Sequence, residues 1–142
     1  MLPSIVKLFY FLCDYWVGYL TKTRSELVSS TLVIFDRYYC DILIDPLRYR
    51  YGAPLWLARL VGEFIPKPDL VILLNAPPEI LQERKKEVSF EETCRQQAAY
   101  LEYVKAQNNG CVIDASQPLG QVVHDVEEVI VESMANRLRK RA

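Results

Sequence analysis

The stretch of the sequence best equipped for chemistry is Phe35-Asp36-Arg37-Tyr38-Tyr39. Asp36 can organise a cation or accept a hydrogen bond, and Arg37 can grip a phosphate through its planar fork of donors. The same two residues can instead form an ion pair at a strand end, with the tyrosines packed against a helix. Asp41, Asp45, Arg48 and Arg50 favour the chemical reading, because the polar, irregular region continues toward the same expected face. Tyr38, Tyr39, Tyr49 and Tyr51 can stack on a base or sugar, and core packing accounts for each of them equally well.

A second candidate is the run Glu83-Arg84-Lys85-Lys86-Glu87. A basic segment of this kind near a phosphate would neutralise charge during transfer; on a solvated helix end it would do nothing but face water. Arg95 either extends that basic surface or pairs with Glu91 or Glu92. Asp114-Ala115-Ser116-Gln117 has the short polar make-up of a loop beside a nucleotide base, or of a plain helix entry. His124 has no partners for a triad and reads as a surface or packing residue. Cys13, Cys40, Cys94 and Cys111 form no C-x-x-C pair and, with one histidine, no mixed zinc site. They read as buried free thiols in a reducing, cytoplasmic setting.

These groups need elements to hold them. Residues 5–28 suit a helix with a bend near Gly18. The apolar run 31–36 is short and without polar alternation, as expected for a strand covered on both faces. Pro46, Gly52 and Pro54 break the region before a helix at 55–64. Ile65-Pro66-Lys67-Pro68 leads stiffly into a second strand at 69–74. Pro78 opens the next helix, where its missing N–H costs nothing. Helical stretches at 79–87 and 89–107 meet near Val88-Ser89, and Ser89 with Glu92 forms a capping-box pattern. Asn108-Asn109-Gly110 stops that helix, a third strand follows at 111–114, and a last helix runs from 118 to about 139. Its basic end, Arg137 to Arg141, complements the negative end of the helix dipole. Alternating strands and helices imply a parallel α/β layer architecture, with chemistry gathered beyond the carboxyl ends of the strands. Asp36-Arg37, Asn75 and Asp114 fall at those ends.

The composition narrows the choices. At 142 residues, 51% hydrophobic, the chain suits a single domain over 1–142 with a real core. Seventeen Lys and Arg against eighteen Asp and Glu leave a net charge of -1, which argues against a broad nucleic-acid surface but allows a local anion site. Lys7 and Asp14 interrupt the apolar first twenty residues, so neither a secretory signal nor a transmembrane helix is expected.

Taken in order, these motifs resemble the thymidylate kinase-like branch of the P-loop nucleoside-monophosphate kinases. The resemblance covers roughly residues 5–135. It is carried by Asp36-Arg37-Tyr38, by Pro66-Lys67-Pro68-Asp69 with the apolar run to Leu74, and by Ala76-Pro77-Pro78-Glu79. Arg84, the Arg95 and Tyr100 helix, and Val112-Ile113-Asp114-Ala115-Ser116 complete it. It implies a partial P-loop kinase-like three-layer α/β fold with parallel strands near 31–36, 69–74 and 111–114. It also implies transfer of the γ-phosphoryl of ATP to a nucleoside monophosphate, assisted by Mg2+. On that basis Asp36 is the acid at the transfer centre and the residue that would meet magnesium. Arg37 clamps the acceptor phosphate, Tyr38, Arg48 and Arg50 line the acceptor region, and Arg84 lies near the transferring phosphate at the start of the lid. Ser116 and Gln117 approach the adenine of the donor.

The departures from the family pattern are specific. No G-x-x-x-x-G-K-[ST] occurs in the sequence, and that loop cradles the donor phosphates with successive N–H groups. In the family this loop and its central strand precede the segment represented by residues 1–28. The chain is therefore expected to be an N-terminally truncated member, a fragment from a shortened gene model, or a remodelled protein that lost kinase activity, with little autonomous activity as it stands. The lid is short and lacks the arginine-rich loop, so thymidylate is not implied as the acceptor. A non-catalytic kinase-derived protein that binds nucleotide or a partner is the main alternative, since a missing central strand leaves edges for a partner or a second copy to cover. Flavodoxin-like and receiver domains share the strand-helix repeat but fit Asp36-Arg37-Tyr38 and the basic run poorly.

Overall fold

A computed structural model describes residues 2–84 and 86–139. The chain divides into two compact units, Met1–Lys67 and Pro68–Ala142.

The first unit is helical. Helix α1 (Leu2–Gly18) buries Leu8 and packs Phe11, Leu12 and Tyr15 on a core of Tyr39, Ile42, Tyr51, Ala53, Ala58 and Ile65. Its outer surface keeps Val6, Phe9, Tyr10 and Val17 exposed. Near Gly18, where the sequence suggests a bend, the helix continues through a π-helical turn, Tyr19–Thr23, where the Arg24 N–H donates to the Tyr19 carbonyl five residues back. Such turns mark places where the ordinary ladder admits an extra residue. Helix α2 (Arg24–Val28) follows and closes through the Thr31 N–H to the Glu26 carbonyl, 2.9 Å. Two further helices, α3 (Cys40–Ile44) and α4 (Leu55–Gly62), pack on each other and on the core.

The tyrosines tie this core together. Tyr39 donates from its hydroxyl to the Ala58 carbonyl at 2.8 Å, and Tyr51 to the Pro54 carbonyl at 2.9 Å. Each thus buries a ring without stranding its polar tip. These two serve the core rather than a base or sugar. Trp16 Nε1 donates to the Phe64 carbonyl at 2.9 Å and Lys7 Nζ to the Tyr49 carbonyl at 2.7 Å, so α1 is pinned at both ends to distant loops.

Residues 31–36 do not form the expected strand; no helix or strand is assigned there. Nor is the run covered, for Leu32, Ile34 and Phe35 are 53%, 73% and 52% exposed. Branched and aromatic residues favour an extended chain, but a strand exists only through a ladder with a neighbour, and the first unit holds no other strand among the described residues.

The second unit contains the sheet. Strands β1 (Val71–Asn75) and β2 (Gly110–Asp114) pair in parallel, from Val71 opposite Gly110 to Asn75 opposite Asp114. Helices α5 (Pro78–Arg84) and α6 (Phe90–Lys105) form the crossover that a parallel pair requires. Helix α7 (Leu119–Arg139) packs on β2. Pro78 opens α5 as expected, and Ser89 caps α6 by accepting from the Glu92 N–H at 3.2 Å. Ala76, Val104, Ile113, Ala115 and Val122 are buried here. Gly110 has an ordinary φ; its importance is a close approach, because a Cβ there would lie 2.1 Å from the Val104 carbonyl oxygen. At the far end of α7, Arg137 Nη1 donates to Asp69 Oδ2 at 2.7 Å. Lys140 and Arg141 of the basic terminus lie outside the described residues, as does Lys85 of the lid-like run.

The architecture is mixed α/β with a small parallel sheet, which agrees at a general level with a P-loop kinase-like fold. Among the described residues, no helix is long and apolar enough to cross a membrane. The four cysteines are free. Cys13 is exposed and the other three are half-buried, so none is the fully buried thiol expected from the sequence.

Candidate phosphate-binding site

In the first unit the candidate residues lie between the exposed 31–35 run and α3. Asp36 and Arg37 are exposed, Tyr38 is half-buried and Tyr39 is in the core. The chain turns sharply here, for Arg37 has φ 78, in the left-handed region. A non-glycine residue there costs about 1–3 kcal/mol and persists where its surroundings enforce it. The enforcing contact is local. Arg37 Nη1 donates to Asp41 Oδ2 at 3.1 Å, and Asp41 sits in the first turn of α3 with its side chain 5% exposed against 47% for Arg37.

Asp41 is the centre of a polar cluster. Cys40 Sγ donates to its Oδ1 at 3.8 Å, and its charge also bears on Tyr49. Burial, the Asp41 charge and the hydrogen bond to Asp41 push the Cys40 thiol up to about 11. That makes it a poor nucleophile at neutral pH. Burial pushes the Tyr49 phenol above its usual value and the Asp41 carboxylate adds to this, while Arg37 and Arg48 both act in the opposite sense. Two candidate phosphate ligands, eleven positions apart in sequence, therefore bear on one hydroxyl. Tyr15 is raised strongly by burial, then by Tyr38 and Tyr49. Tyr38 donates its hydroxyl to the Pro66 carbonyl and meets Tyr15 and Phe35 edge-on, with ring centres 5.0 Å and 5.4 Å away.

The turn after α3 presents the other arginines. Asp45 Oδ1 accepts from the Arg48 N–H at 3.2 Å, and the Tyr51 N–H closes on the Pro46 carbonyl at 2.8 Å. Arg50, exposed in this turn, has φ 49 and is a second arginine in the left-handed region.

The second unit holds the remaining candidates at its strand ends. Arg84 is the exposed last residue of α5. Arg95 makes two 2.7 Å bonds to the Glu92 carboxylate, so its pairing, left open by the sequence, is with Glu92. Hydrogen bonds from Arg95 and Gln96 hold the Glu92 carboxyl down at about 2. Beyond β2, Asp114 Oδ1 accepts from the Ser116 N–H at 2.8 Å and from its hydroxyl at 2.6 Å. Those bonds depress the Asp114 carboxyl. Gln117 Nε2 reaches the Asp114 carbonyl and Asp125, each at 3.2 Å. Ser116 and Gln117 are thus held together in a shaped loop. His124 is exposed.

Two further residues belong to the site. Asp41 falls within a polar stretch, and its spacing from Arg37 is not a helical signal, because Arg37 lies before α3 with a left-handed φ. Gln97 reaches the end of β1, donating to the Ala76 carbonyl at 2.6 Å and to Asn75 Oδ1 at 3.1 Å. No local spacing announces a partner that far along the chain. Among the described residues no group of three or more His, Cys, Asp or Glu could hold a metal.

A model of the thymidylate kinase family matches residues 3–126. The chain belongs to the thymidylate kinase family. The matched span contains Asp36-Arg37-Tyr38, the Arg48 and Arg50 turn, Arg84 and the 114–117 loop. Among curated relatives, a probable thymidylate kinase of Archaeoglobus fulgidus is 36% identical over 138 residues, covering 89% of this chain and 66% of that protein. Probable thymidylate kinase 1 of Saccharolobus solfataricus is 30% identical over 118 residues, covering 78% and 60%. A thymidylate kinase of Xanthomonas campestris is 31% identical over 123 residues, covering 80% and 52%. The chain therefore spans between about half and two thirds of the length of these thymidylate kinases.

Proposed function

We propose that this chain is a thymidylate kinase-like nucleotide-kinase segment whose first unit binds the phosphate of a nucleoside monophosphate. The observation that carries the reading is Arg37. It stands at φ 78, paired with the largely buried Asp41, within the span that matches the family. Arg48 shares the electrostatic surroundings of Tyr49 with Arg37, so a phosphate bound beside that phenol would meet two cations. Arg50 and Tyr38 extend the acceptor region. Because one family model runs across both units, we read them as parts of one thymidylate kinase-like domain over 1–142, in a cytoplasmic setting.

The family activity is ATP-dependent phosphoryl transfer, in which positioning and charge stabilisation do most of the work. Asp36 is an exposed carboxylate next to Arg37, a donor of the kind magnesium uses when it takes one or two carboxylates and completes its shell with water and phosphates. Magnesium would there neutralise charge on the donor phosphates. Arg84 would approach the transferring group, and Ser116 and Gln117 the base of the donor. The 142 residues contain no G-x-x-x-x-G-K-[ST] cradle, so by themselves they are expected to turn over little ATP.

Calorimetric titration of the 142-residue chain with thymidine monophosphate tests this. Saturable binding that weakens sharply but stays measurable in Arg37→Ala is the expected result. Equal binding by that variant would remove the acceptor site, and rapid ATP-dependent phosphorylation by the chain alone would refute the expected inactivity.

A non-catalytic interaction role is the second reading. Its support is the unpaired outer edge of β1 among the described residues, with Val6, Phe9, Tyr10 and Val17 exposed on α1. Either a protein partner or a second copy would cover such surfaces. A chain that sediments as a monomer at every concentration would count against the second copy.

A further inference from the structure

We infer that Asp41 is a positioning residue for Arg37, fixing the guanidinium so that it meets the acceptor phosphate already oriented. This rests on the acceptor-site reading of Arg37 and adds to it the residue through which the arginine is held.

The geometry has three parts. Asp41 is anchored, since it lies in the first turn of α3 between Cys40 and the buried Ile42, with its side chain 5% exposed. Tyr39, just before the helix, is fixed by its bond to the Ala58 carbonyl. The carboxylate is also divided between tasks: Oδ2 faces Arg37 Nη1 at 3.1 Å while Oδ1 accepts from Cys40 Sγ at 3.8 Å. Finally, Arg37 is half-exposed and its backbone is in the left-handed region, so the bond runs from a buried support to a group that faces solvent. A carboxylate that only completed a surface ion pair would have no reason to be the buried member of an i,i+4 pair, because exposed pairs add little. Held at one Nη, a planar guanidinium loses the rotations that it would otherwise surrender on gripping a phosphate.

Asp41→Asn tests this, since it keeps the shape and an oxygen acceptor but removes the charge. With thymidine monophosphate as the probe, Asp41→Asn should weaken binding about tenfold in the presence of Arg37. In an Arg37→Ala background it should change binding less than about twofold, because contacting groups that act as one unit are non-additive. Equal weakening in both backgrounds would make Asp41 a general structural residue and overturn the inference, as would unchanged binding in Asp41→Asn. Failure of the unsubstituted chain to bind thymidine monophosphate or any other common nucleoside monophosphate would instead overturn the acceptor site itself, and the inference with it. Should Asp41→Asn not fold, the unsubstituted chain gives the answer by NMR. Arg37 should show resolved, slowly exchanging Nη signals, whereas a single averaged signal would refute the positioning role.

Discussion

The two units hold their polar groups in opposite ways. In the first, Arg37 is braced on a buried carboxylate and tyrosine hydroxyls are tied to carbonyls inside the core. In the second, Asp114, Ser116 and Gln117 bond to one another at an exposed strand end, and Glu92 pairs with Arg95 on a helix surface. The first arrangement couples a candidate ligand-binding residue to the packing of the whole unit. The second leaves its loop adjustable, because exposed bonds compete with water and contribute little each. On the proposed function, a fixed clamp would orient a phosphate and an adjustable loop would accommodate a base.

Three experiments would break or sharpen this contrast. The largest effect is expected from Leu8→Ala, which empties the largest fully buried side chain among the described residues. It should cost about 2–5 kcal/mol in urea unfolding, and it should weaken thymidine monophosphate binding as the support under α3 loosens. A loss of stability with binding intact at low denaturant would separate the clamp from the core and dissolve the contrast. Gly110→Ala comes next. A Cβ there meets the Val104 carbonyl oxygen at 2.1 Å, so the junction of α6 and β2 must shift, at about 1–3 kcal/mol. Denaturant midpoints would measure this, and an unchanged midpoint would mean that the second unit adjusts more easily than its packing suggests.

The smallest effect concerns pH. Glu92 is held at about 2 by Arg95 and Gln96. A carboxyl depressed by folding adds stability that is fully present above its ordinary value of 4.5, and that stability is lost as pH falls through about 2. NMR titration should find Glu92 near that value in the native chain and higher in Arg95→Ala. The pair lies on a helix surface, with Arg95 half-exposed, so stability near neutral pH should barely change. A large change there would show that surface pairs carry the second unit after all.

Much of the second unit was legible in the sequence because its signals are local. Pro78 as a helix opener, Ser89 as a cap and the apolar runs before Asn75 and Asp114 each act within a few residues of themselves. The run 31–36 misled for the complementary reason. Its composition favours a strand, but pairing depends on a neighbour that composition does not supply. The site divides the same way. Asp36, Arg37 and Arg84 could be picked out from residue type and from the family resemblance. The support that Asp41 gives Arg37 depends on burial, which a polar stretch of sequence does not reveal. Gln97 escaped because its partners at the end of β1 are more than twenty residues away. The tyrosines were ambiguous until their hydroxyl partners were seen; Tyr39 and Tyr51 then belonged to the core.

The π-helical turn at Tyr19–Thr23 has a consequence for how this chain tolerates change in length. One extra residue advances the helical phase by about 100°, so side chains after Arg24 point in directions that the periodicity of α1 does not foretell. Removing a single residue between 19 and 23 would let an ordinary helical turn close there and leave α2 at about its present azimuth, because the wider turn takes up one residue more. Residues 19–23 act as a slack link in the helix, able to give up one residue without redirecting the chain that follows.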